Sequence, residues 1–447
     1  MAPTSDLSAI FKAYDVRGVY PDDIDEDVAR RIGAAFARFA GTPSILVGRD
    51  MRLSSEPLAT AFADGVTSQG TDVVDLGLAS TDALYFASGR HAAPGAMFTA
   101  SHNPARYNGI KFCLAGAAPV GQDTGLTEIR ELAESAVEPA GARGSVGRSD
   151  VLSAFADHVL SFVDVDALKP FTVCIDTANG MGGRIVPAVF DRLPFKVVPL
   201  YFELDGTFPN HPADPIQIEN LAALRRAVVE HGAYLGMAFD GDADRVFLVD
   251  EGGEPVSGSL TTALVASRVL DKEPGATIVH NLICSRVVPE VVREKGGTPV
   301  RTRVGHSFIK KVMADSGAAF GGEHSGHYYF RDNFRADSGI ICAMFVLEAL
   351  SLQEEPLSTV IQPFQRYWNS GEVNSEVADP PGKVEELARR FEDGQQDRTD
   401  GLTVEYADWW FNVRPSNTEP LLRLNVEAAD EELGRARTDE LLAVIRG

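Results

Sequence analysis

Four short segments of this 447-residue chain carry side chains whose types and spacing could do chemistry. The first is Thr99-Ala100-Ser101-His102-Asn103-Pro104, which follows a short apolar run at 96–98. A serine beside a histidine, on a loop after a strand, can be an exposed nucleophile. The same residues also read as an ordinary turn, since Ser, Asn and Pro are frequent turn formers. No G-x-S-x-G elbow occurs in the chain, so acyl transfer lacks its usual geometry. The second segment is Asp240-Gly241-Asp242-Ala243-Asp244-Arg245, after the apolar run 234–239. Three alternate carboxylates around a glycine can converge on one hard cation, whose preferred ligands are oxygens. A calcium loop of the helix–loop–helix type would place glycine sixth, where Arg245 stands. Its closing glutamate, Glu251, comes only after an apolar, strand-like run at 246–249. A site for a single divalent metal is the better reading.

The third segment, Gly321-Gly322-Glu323-His324-Ser325-Gly326-His327, alternates donors and acceptors suited to sugar hydroxyls. By itself it reads equally well as a polar loop. The fourth is Arg414-Pro415-Ser416-Asn417-Thr418-Glu419-Pro420. An arginine with two hydroxyls, an amide and turn N–H groups makes a phosphate cradle, although the same residues suit a turn between strands. Neither the dinucleotide pattern G-x-G-x-x-G nor the P-loop G-x-x-x-x-G-K-[ST] is present, so nucleotide phosphates are not held in those ways.

The elements that must position these segments alternate in type. Strands are expected at 44–47, 71–75, 96–99, 172–175, 234–239 and 277–279, and helices at 56–66, 184–190, 218–230 and 308–313, with further apolar periodicity at 261–270 and 288–292. Such alternation means α/β layers, with sites on the loops that follow strand C-termini. Three similar alternations in a row are compatible with duplication. The final segment differs, with strands expected near 373–377, 402–405 and 421–426 and helices at 384–391 and 431–445; it reads as a small α+β domain. Boundary candidates at 141–150, 251–258 and the polar stretch 369–371 divide the chain into domains at 1–148, 149–253, 254–369 and 370–447.

A formal net charge of -23 argues against a nucleic-acid partner, which calls for a basic face. It does not oppose a phosphorylated small molecule, because salt screens distant surface charge within about 8 Å. No apolar run approaches the ~20 residues of a membrane span, and residues 1–10 lack the pattern of a secretory signal. Cys113, Cys174, Cys284 and Cys342 are widely spaced in apolar surroundings and read as buried thiols in a reducing compartment, so a cytoplasmic location is expected.

Taken in order, the four segments resemble the α-D-phosphohexomutase superfamily, in particular its bacterial phosphomannomutase/phosphoglucomutase members. The resemblance extends to Phe11-Lys12-Ala13-Tyr14-Asp15-Val16-Arg17-Gly18, Gly48-Arg49-Asp50, Phe208-Pro209-Asn210-His211 and Val304-Gly305-His306-Ser307-Phe308-Ile309-Lys310. It implies three consecutive α/β/α domains with mixed sheets and a fourth α+β domain like the TATA-binding-protein fold, around a central cleft. It implies an isomerase that interconverts mannose 6-phosphate and mannose 1-phosphate through a phosphoserine and a hexose 1,6-bisphosphate, which would also be its activator.

By the same resemblance Ser101 would be phosphorylated and, with Asp240, Asp242 and Asp244, would bind one Mg²⁺ per active site. His102, Arg17, Lys111 and His327 would take part in catalysis. Tyr14, Arg245, His306, Glu323 and Ser325 would meet the substrate, and Arg414, Ser416, Asn417 and Thr418 would hold the phosphate that is not reacting. The partners implied are hexose phosphates, with the chain as monomer or homodimer. One position departs from many relatives, which have lysine where Ile283 stands before Ser285-Arg286. That departure speaks against dual glucose/mannose specificity. Because Glu323 and Ser325 would meet hydroxyls that glucose and mannose share, glucose, dual glucose/mannose and glucosamine phosphates stay as alternative substrates.

Overall fold

The computed structural model describes residues 6–135, 137–415 and 421–447. Three of its four sheets are built on one plan. In the first, the strands Ser44–Arg49, Asp72–Leu78 and Gly95–Phe98 are parallel and Tyr107–Leu114 returns antiparallel. In the second, Thr172–Asp176, Lys196–Leu200 and Leu235–Phe239 are parallel and Val246–Asp250 returns. In the third, Thr277–Asn281, Thr298–Thr302 and Phe320–Gly322 are parallel and Tyr328–Phe330 returns. Each time the second strand in the chain lies outside the first, and the third and fourth follow on the other side. The loop joining the third strand to its antiparallel return therefore falls at the same place in all three sheets. Those loops are 99–106, 240–245 and 323–327, the first three chemically suggestive segments.

The third strands are buried on both faces: Gly95–Phe98, Leu235–Phe239 and Phe320–Gly322 have no exposed residue. Strands covered on both sides need continuous apolar runs, which is why 96–98 and 234–239 were conspicuous in the sequence. Around them the helices carry ordinary start and stop signals. The Asp25 side chain accepts from Val28 N at 2.8 Å to cap Glu26–Ala40, and Gly41 closes that helix at φ 59°. The helix read at 218–230 begins as the 3₁₀ turn Ile218–Leu221 and continues as Ala222–His231.

The fourth sheet is antiparallel throughout, in the order Trp368–Glu376, Leu421–Ala428, Trp409–Pro415, Leu402–Glu405, Gln395–Asp397. The helices Pro380–Arg390 and Glu431–Arg446 pack against it. The polar stretch 369–371, expected as a link, instead lies inside the strand Trp368–Glu376, at a register shift between Asn369 and Glu372. The strand starts earlier because Trp368 packs on Gly434 of the closing helix, too close for any β-carbon there.

The first and last domains each have a core of their own. The second and third share one continuous core, crossed by the helix Gly339–Gln353 and joined by Ala83 and Phe86 of the first domain. Thirteen of that helix's residues are buried, so it presents no polar face and no amphipathic period in the sequence. Its N-cap, Ser338, also ties it to the first domain: Ser338 Oγ donates to Asp82 Oδ2 at 2.6 Å, and Ser80 Oγ donates to the other oxygen of Asp82.

Asp82 is fully buried with hydroxyls rather than cations as its side-chain partners, and burial pushes its pKa from 3.8 to about 7. Between those values the folded protein keeps a proton that the unfolded chain has released. Stability should therefore fall as pH rises from about 4 to 7, by up to about 4 kcal/mol. In urea titrations across this range Asp82→Asn should lack that component; an identical pH dependence in wild type and variant would contradict it.

Candidate active site

The loops 99–106 and 240–245 meet face to face. Ser101 Oγ donates to Asp240 Oδ2 at 2.7 Å, although the two residues are 139 apart in the chain. Ser101 stands at φ 49° and Ala243 at φ 61°, left-handed conformations that cost strain for residues with a β-carbon. Gly241 lets the loops approach, because a β-carbon there would lie 2.4 Å from the Ser101 carbonyl. His102 Nδ1 is 3.3 Å from Ser101 Oγ. Burial, with Arg245 and Arg17 nearby, holds that imidazole well below its ordinary pKa, so it is neutral.

Asp240, Asp242 and Asp244 bring carboxylate oxygens within 4.8 Å of one another, and all three are buried. Their charge is met from several sides. Lys111, on the antiparallel return of the first sheet, donates to Asp242 Oδ2 and Asp244 Oδ2, each at 2.7 Å. Arg245 Nε donates to Asp240 Oδ2 at 2.9 Å. Thr81 Oγ1 donates to Asp242 Oδ2 at 2.5 Å, from the N-terminus of the helix Thr81–His91. Burial alone would raise every carboxyl here; Lys111 and Thr81 outweigh it at Asp242, whose pKa lies below the usual range. Asp240 is pushed up to about 7 by burial and by Asp242 and Asp244, against the pull of Arg245. Asp242 Oδ1 and Asp244 Oδ1 are buried and accept no hydrogen bond among the described residues. Carboxylate oxygens left open beside a serine hydroxyl form a donor set that fits a divalent cation.

The third loop adds His327. Its backbone pairs with Arg245 in an isolated bridge. His327 Nδ1 is 2.9 Å from Asp337 Oδ2 and 4.0 Å from Asp244 Oδ1. Burial lowers its proton affinity, but the hydrogen bond to Asp337 and the charge of Asp244 outweigh it, so the pKa is raised. Lys310 pairs with Asp337 Oδ1 at 3.0 Å and lies 3.9 Å over the Tyr85 ring of the first domain.

Glu323 is more engaged than its alternating pattern suggested. Tyr329 Oη donates to Oε2 at 3.0 Å, while Asn281 Nδ2 and Gly305 N donate to Oε1 at 3.2 and 3.0 Å. A carboxylate offers about four acceptor positions, so what Glu323 can still present to a sugar is the remainder. Ser325 is half-buried on the same loop. Arg17 donates to Asn103 Oδ1 of the serine loop and to Asp15, and Tyr14 Oη lies 3.5 Å from the carbonyl of Val304 in the third domain. Arg414, on the last sheet, pairs with Glu372 at 3.1 Å, and its charge reaches Tyr14 and His324. Ser416, Asn417 and Thr418 lie outside the described residues, as does the side chain of His306. Thr81, Asp337 and Lys310 were not singled out from the sequence. Thr81 gave no local signal, and only the Lys310 segment carried a resemblance.

Four family profiles match in order along the chain. They are phosphoglucomutase/phosphomannomutase alpha/beta/alpha domain I at residues 8–139, domain II at 153–253, domain III at 257–367 and the C-terminal domain at 372–444. The chain belongs to the phosphoglucomutase/phosphomannomutase family. Its enzyme class, an isomerase of the phosphohexomutase type, and its four-domain architecture agree with the sequence reading. A phosphomannomutase of Salmonella montevideo is 40% identical to it over 448 residues, 97% of this chain and 98% of that protein. A Xanthomonas campestris pv. campestris protein named phosphohexose mutases is 41% identical over 446 residues, 98% of this chain and 99% of that one. The crystal structure of a phosphoglucomutase/phosphomannomutase family protein from Burkholderia thailandensis superposes with a TM-score of 0.90 at 32% identity. It covers 99% of this chain and 97% of the other. Among the described residues no helix is long and apolar enough to cross a membrane.

The charge balance of this carboxylate cluster makes Lys111 testable. Removing one partner of a buried ion pair strands the other. Lys111→Met should lose about 3–5 kcal/mol of stability in chelator and recover part of it in Mg²⁺, which can neutralise the same carboxylates. Chemical denaturation with and without the metal measures both. A small loss that ignores Mg²⁺ would mean that Lys111 is not the main counter-charge.

Proposed function

We propose that this chain is a phosphomannomutase, interconverting mannose 6-phosphate and mannose 1-phosphate through a phosphoserine at Ser101. The observation that carries the reading is the contact between Ser101 Oγ and Asp240 within a carboxylate cluster that has open acceptor atoms. A nucleophile and a cation site thus share one spot. The identity to the Salmonella phosphomannomutase over nearly the whole chain favours mannose among the family's sugars.

In this reading Asp240, Asp242, Asp244 and the Ser101 phosphate would hold one Mg²⁺, which supplies positive charge to the transferring phosphoryl group. A phosphoserine with three carboxylates carries nearly five negative charges, more than one divalent cation cancels. Lys111 and Arg245 share most of the remaining compensation, and among the described residues Arg245 Nη2 has no hydrogen-bond partner. Phosphoryl transfer needs positioning and charge stabilisation more than a strong base.

The bond between phosphorus and Ser101 Oγ breaks as one forms to a sugar hydroxyl oxygen. The hydroxyl proton passes to a base, which we assign as His327 Nε2, since Asp337 already orients the ring through Nδ1. The electron pair of the broken bond stays on Ser101 Oγ, which uses it to take the other phosphate on return, while the same base gives the proton back to the departing sugar oxygen. His102 stays neutral beside Oγ, and Arg17 steadies the loop through Asn103. The sugar, now a 1,6-bisphosphate, must turn round and return its other phosphate to Ser101. Glu323, Ser325, Tyr14 and His306 would hold the sugar in both orientations. Arg414, Ser416, Asn417 and Thr418 would hold the distal phosphate, with Arg414 leaving Glu372 for the ligand. Free hexose 1,6-bisphosphate would act as activator by restoring the phosphoserine after the intermediate escapes.

A sugar comparison and two variants test this. A coupled assay with mannose, glucose and glucosamine 1-phosphates side by side should give the highest kcat/KM for mannose; a preference for another sugar would move the chain to that specificity within the family. Ser101→Ala should lose turnover on the order of 10⁴-fold or more while still binding hexose phosphate. Intact-protein mass spectrometry should find one phosphate on the wild type and none on the variant. Near-normal turnover by Ser101→Ala would remove the serine from the mechanism.

Arg414→Ala should raise KM for the 1-phosphate and the 6-phosphate alike and increase dependence on added bisphosphate. An effect in one direction only would mean that the cradle does not serve both orientations.

A further inference from the structure

The loop that carries Ser101 has to hold a positive φ while presenting Oγ across a domain boundary. Beside Arg17 and the loop's own hydrogen bonds, a second arginine ties three of its carbonyls. Arg52 comes from the turn after the strand Ser44–Arg49, and its side chain is completely buried. A guanidinium has five N–H donors in one rigid plane, and Arg52 uses all five. Nε donates to Asp50 Oδ2 at 3.2 Å. Nη1 donates to the carbonyls of Pro104 and Tyr107 at 2.9 and 3.1 Å. Nη2 donates to the carbonyls of Ser101 and Asn103 at 2.8 and 2.7 Å. Three carbonyls of the loop and that of Tyr107, where the returning strand begins, therefore converge on one cation.

Asp50 is itself fixed, accepting from Arg52 N at 3.0 Å and from Ser55 Oγ at 2.5 Å. The second domain closes the outer side. The Phe208 ring lies 4.9 Å from the guanidinium carbon, and Gly206 comes so near that a β-carbon there would stand 2.5 Å from Arg52 Cα. The Ser101 carbonyl thus accepts from Arg52 and lies so close to Gly241 that no β-carbon would fit between them.

Given the assignment of Ser101 as phosphoryl carrier, we propose that Arg52 is the positioning residue of the nucleophile. By tying the carbonyls of Ser101, Asn103, Pro104 and Tyr107 to one planar cation, it sets where Ser101 Oγ stands against Asp240, without touching substrate. Lysine cannot take its place, since an ammonium has three donors on a point charge and cannot reach four carbonyls and a carboxylate at once.

Arg52→Lys keeps the charge and removes the fork. Misplacing a reacting atom by about 1 Å costs on the order of 10²-fold in rate, so kcat should fall by about that factor. KM for the hexose phosphate should stay within about threefold, because the substrate contacts are untouched. Hydrogen–deuterium exchange should quicken in the peptide 99–107 and not elsewhere in the first domain.

The variant is assayed beside wild type and Ser101→Ala. An active Ser101→Ala defeats the carrier assignment. An inactive Ser101→Ala together with wild-type kcat and unchanged exchange in Arg52→Lys defeats the positioning role alone. Faster exchange spread over the whole first domain, with wild-type kcat per folded molecule, also overturns it and leaves Arg52 as ordinary scaffold. If Arg52→Lys does not fold, Phe208→Leu strips only the ring from the guanidinium and is measured in the same way. Quicker exchange confined to 99–107 with reduced kcat at constant KM supports the proposal, and wild-type values overturn it.

Discussion

Three carboxylates in a buried pocket repel one another, and neither water nor distance is available to relieve them. Asp240, Asp242 and Asp244 stand under that constraint at the end of a fully buried strand. Much of the surrounding structure answers it. Lys111 reaches in from the first sheet, Arg245 folds back from the same loop, and Thr81 donates from the start of a helix in the first domain. Because the compensating groups come from different domains, the charge problem also holds the domains together. Asp242 alone joins the first and second through both Lys111 and Thr81.

The repeated sheet plan explains how such a cluster can be assembled at all. Three parallel strands followed by an antiparallel return leave one tight loop at a fixed place, and three copies of the plan supply three such loops. Each loop is short, is anchored at both ends by buried strands and therefore has little freedom to drift. Sites built on rigid elements hold their geometry better than sites on long loops. The second and third domains add to this by sharing a single core, with the helix Gly339–Gln353 running through it.

The third loop contributes differently from the other two. Its glutamate is already bound to Tyr329, Asn281 and the backbone of Gly305, so it organises the third domain as well as facing the cleft. The contact with Gly305 joins it to the segment that begins the helix His306–Ser316. That helix carries Lys310, which reaches Asp337 and the Tyr85 ring. A chain of contacts thus runs from the first domain through Lys310, Asp337 and His327 to Asp244. Buried polar chains of this kind fix relative orientation when each member is partnered.

Much of the fold was legible in the sequence because its signals are local. Doubly covered strands must be apolar throughout, and the turns after them must be polar, so the runs at 96–98 and 234–239 announced both the strands and the loops that follow. The spacing of Asp240, Asp242 and Asp244 was equally readable, since alternate residues on a tight loop can turn to one point. The helix Gly339–Gln353 escaped because burial on every side erases the amphipathic period. The stretch 369–371 was misplaced because a polar β-bulge and a linker share the same composition. What the tertiary structure alone decided was which distant groups complete the site. Thr81 lies 161 residues from Asp242 and Arg52 lies 49 from Ser101, while Lys111, 131 residues from Asp242, was reached from the sequence only through the family resemblance. A hydrogen bond over such separations leaves no trace in local pattern: it exists only because packed sheets bring the two ends together.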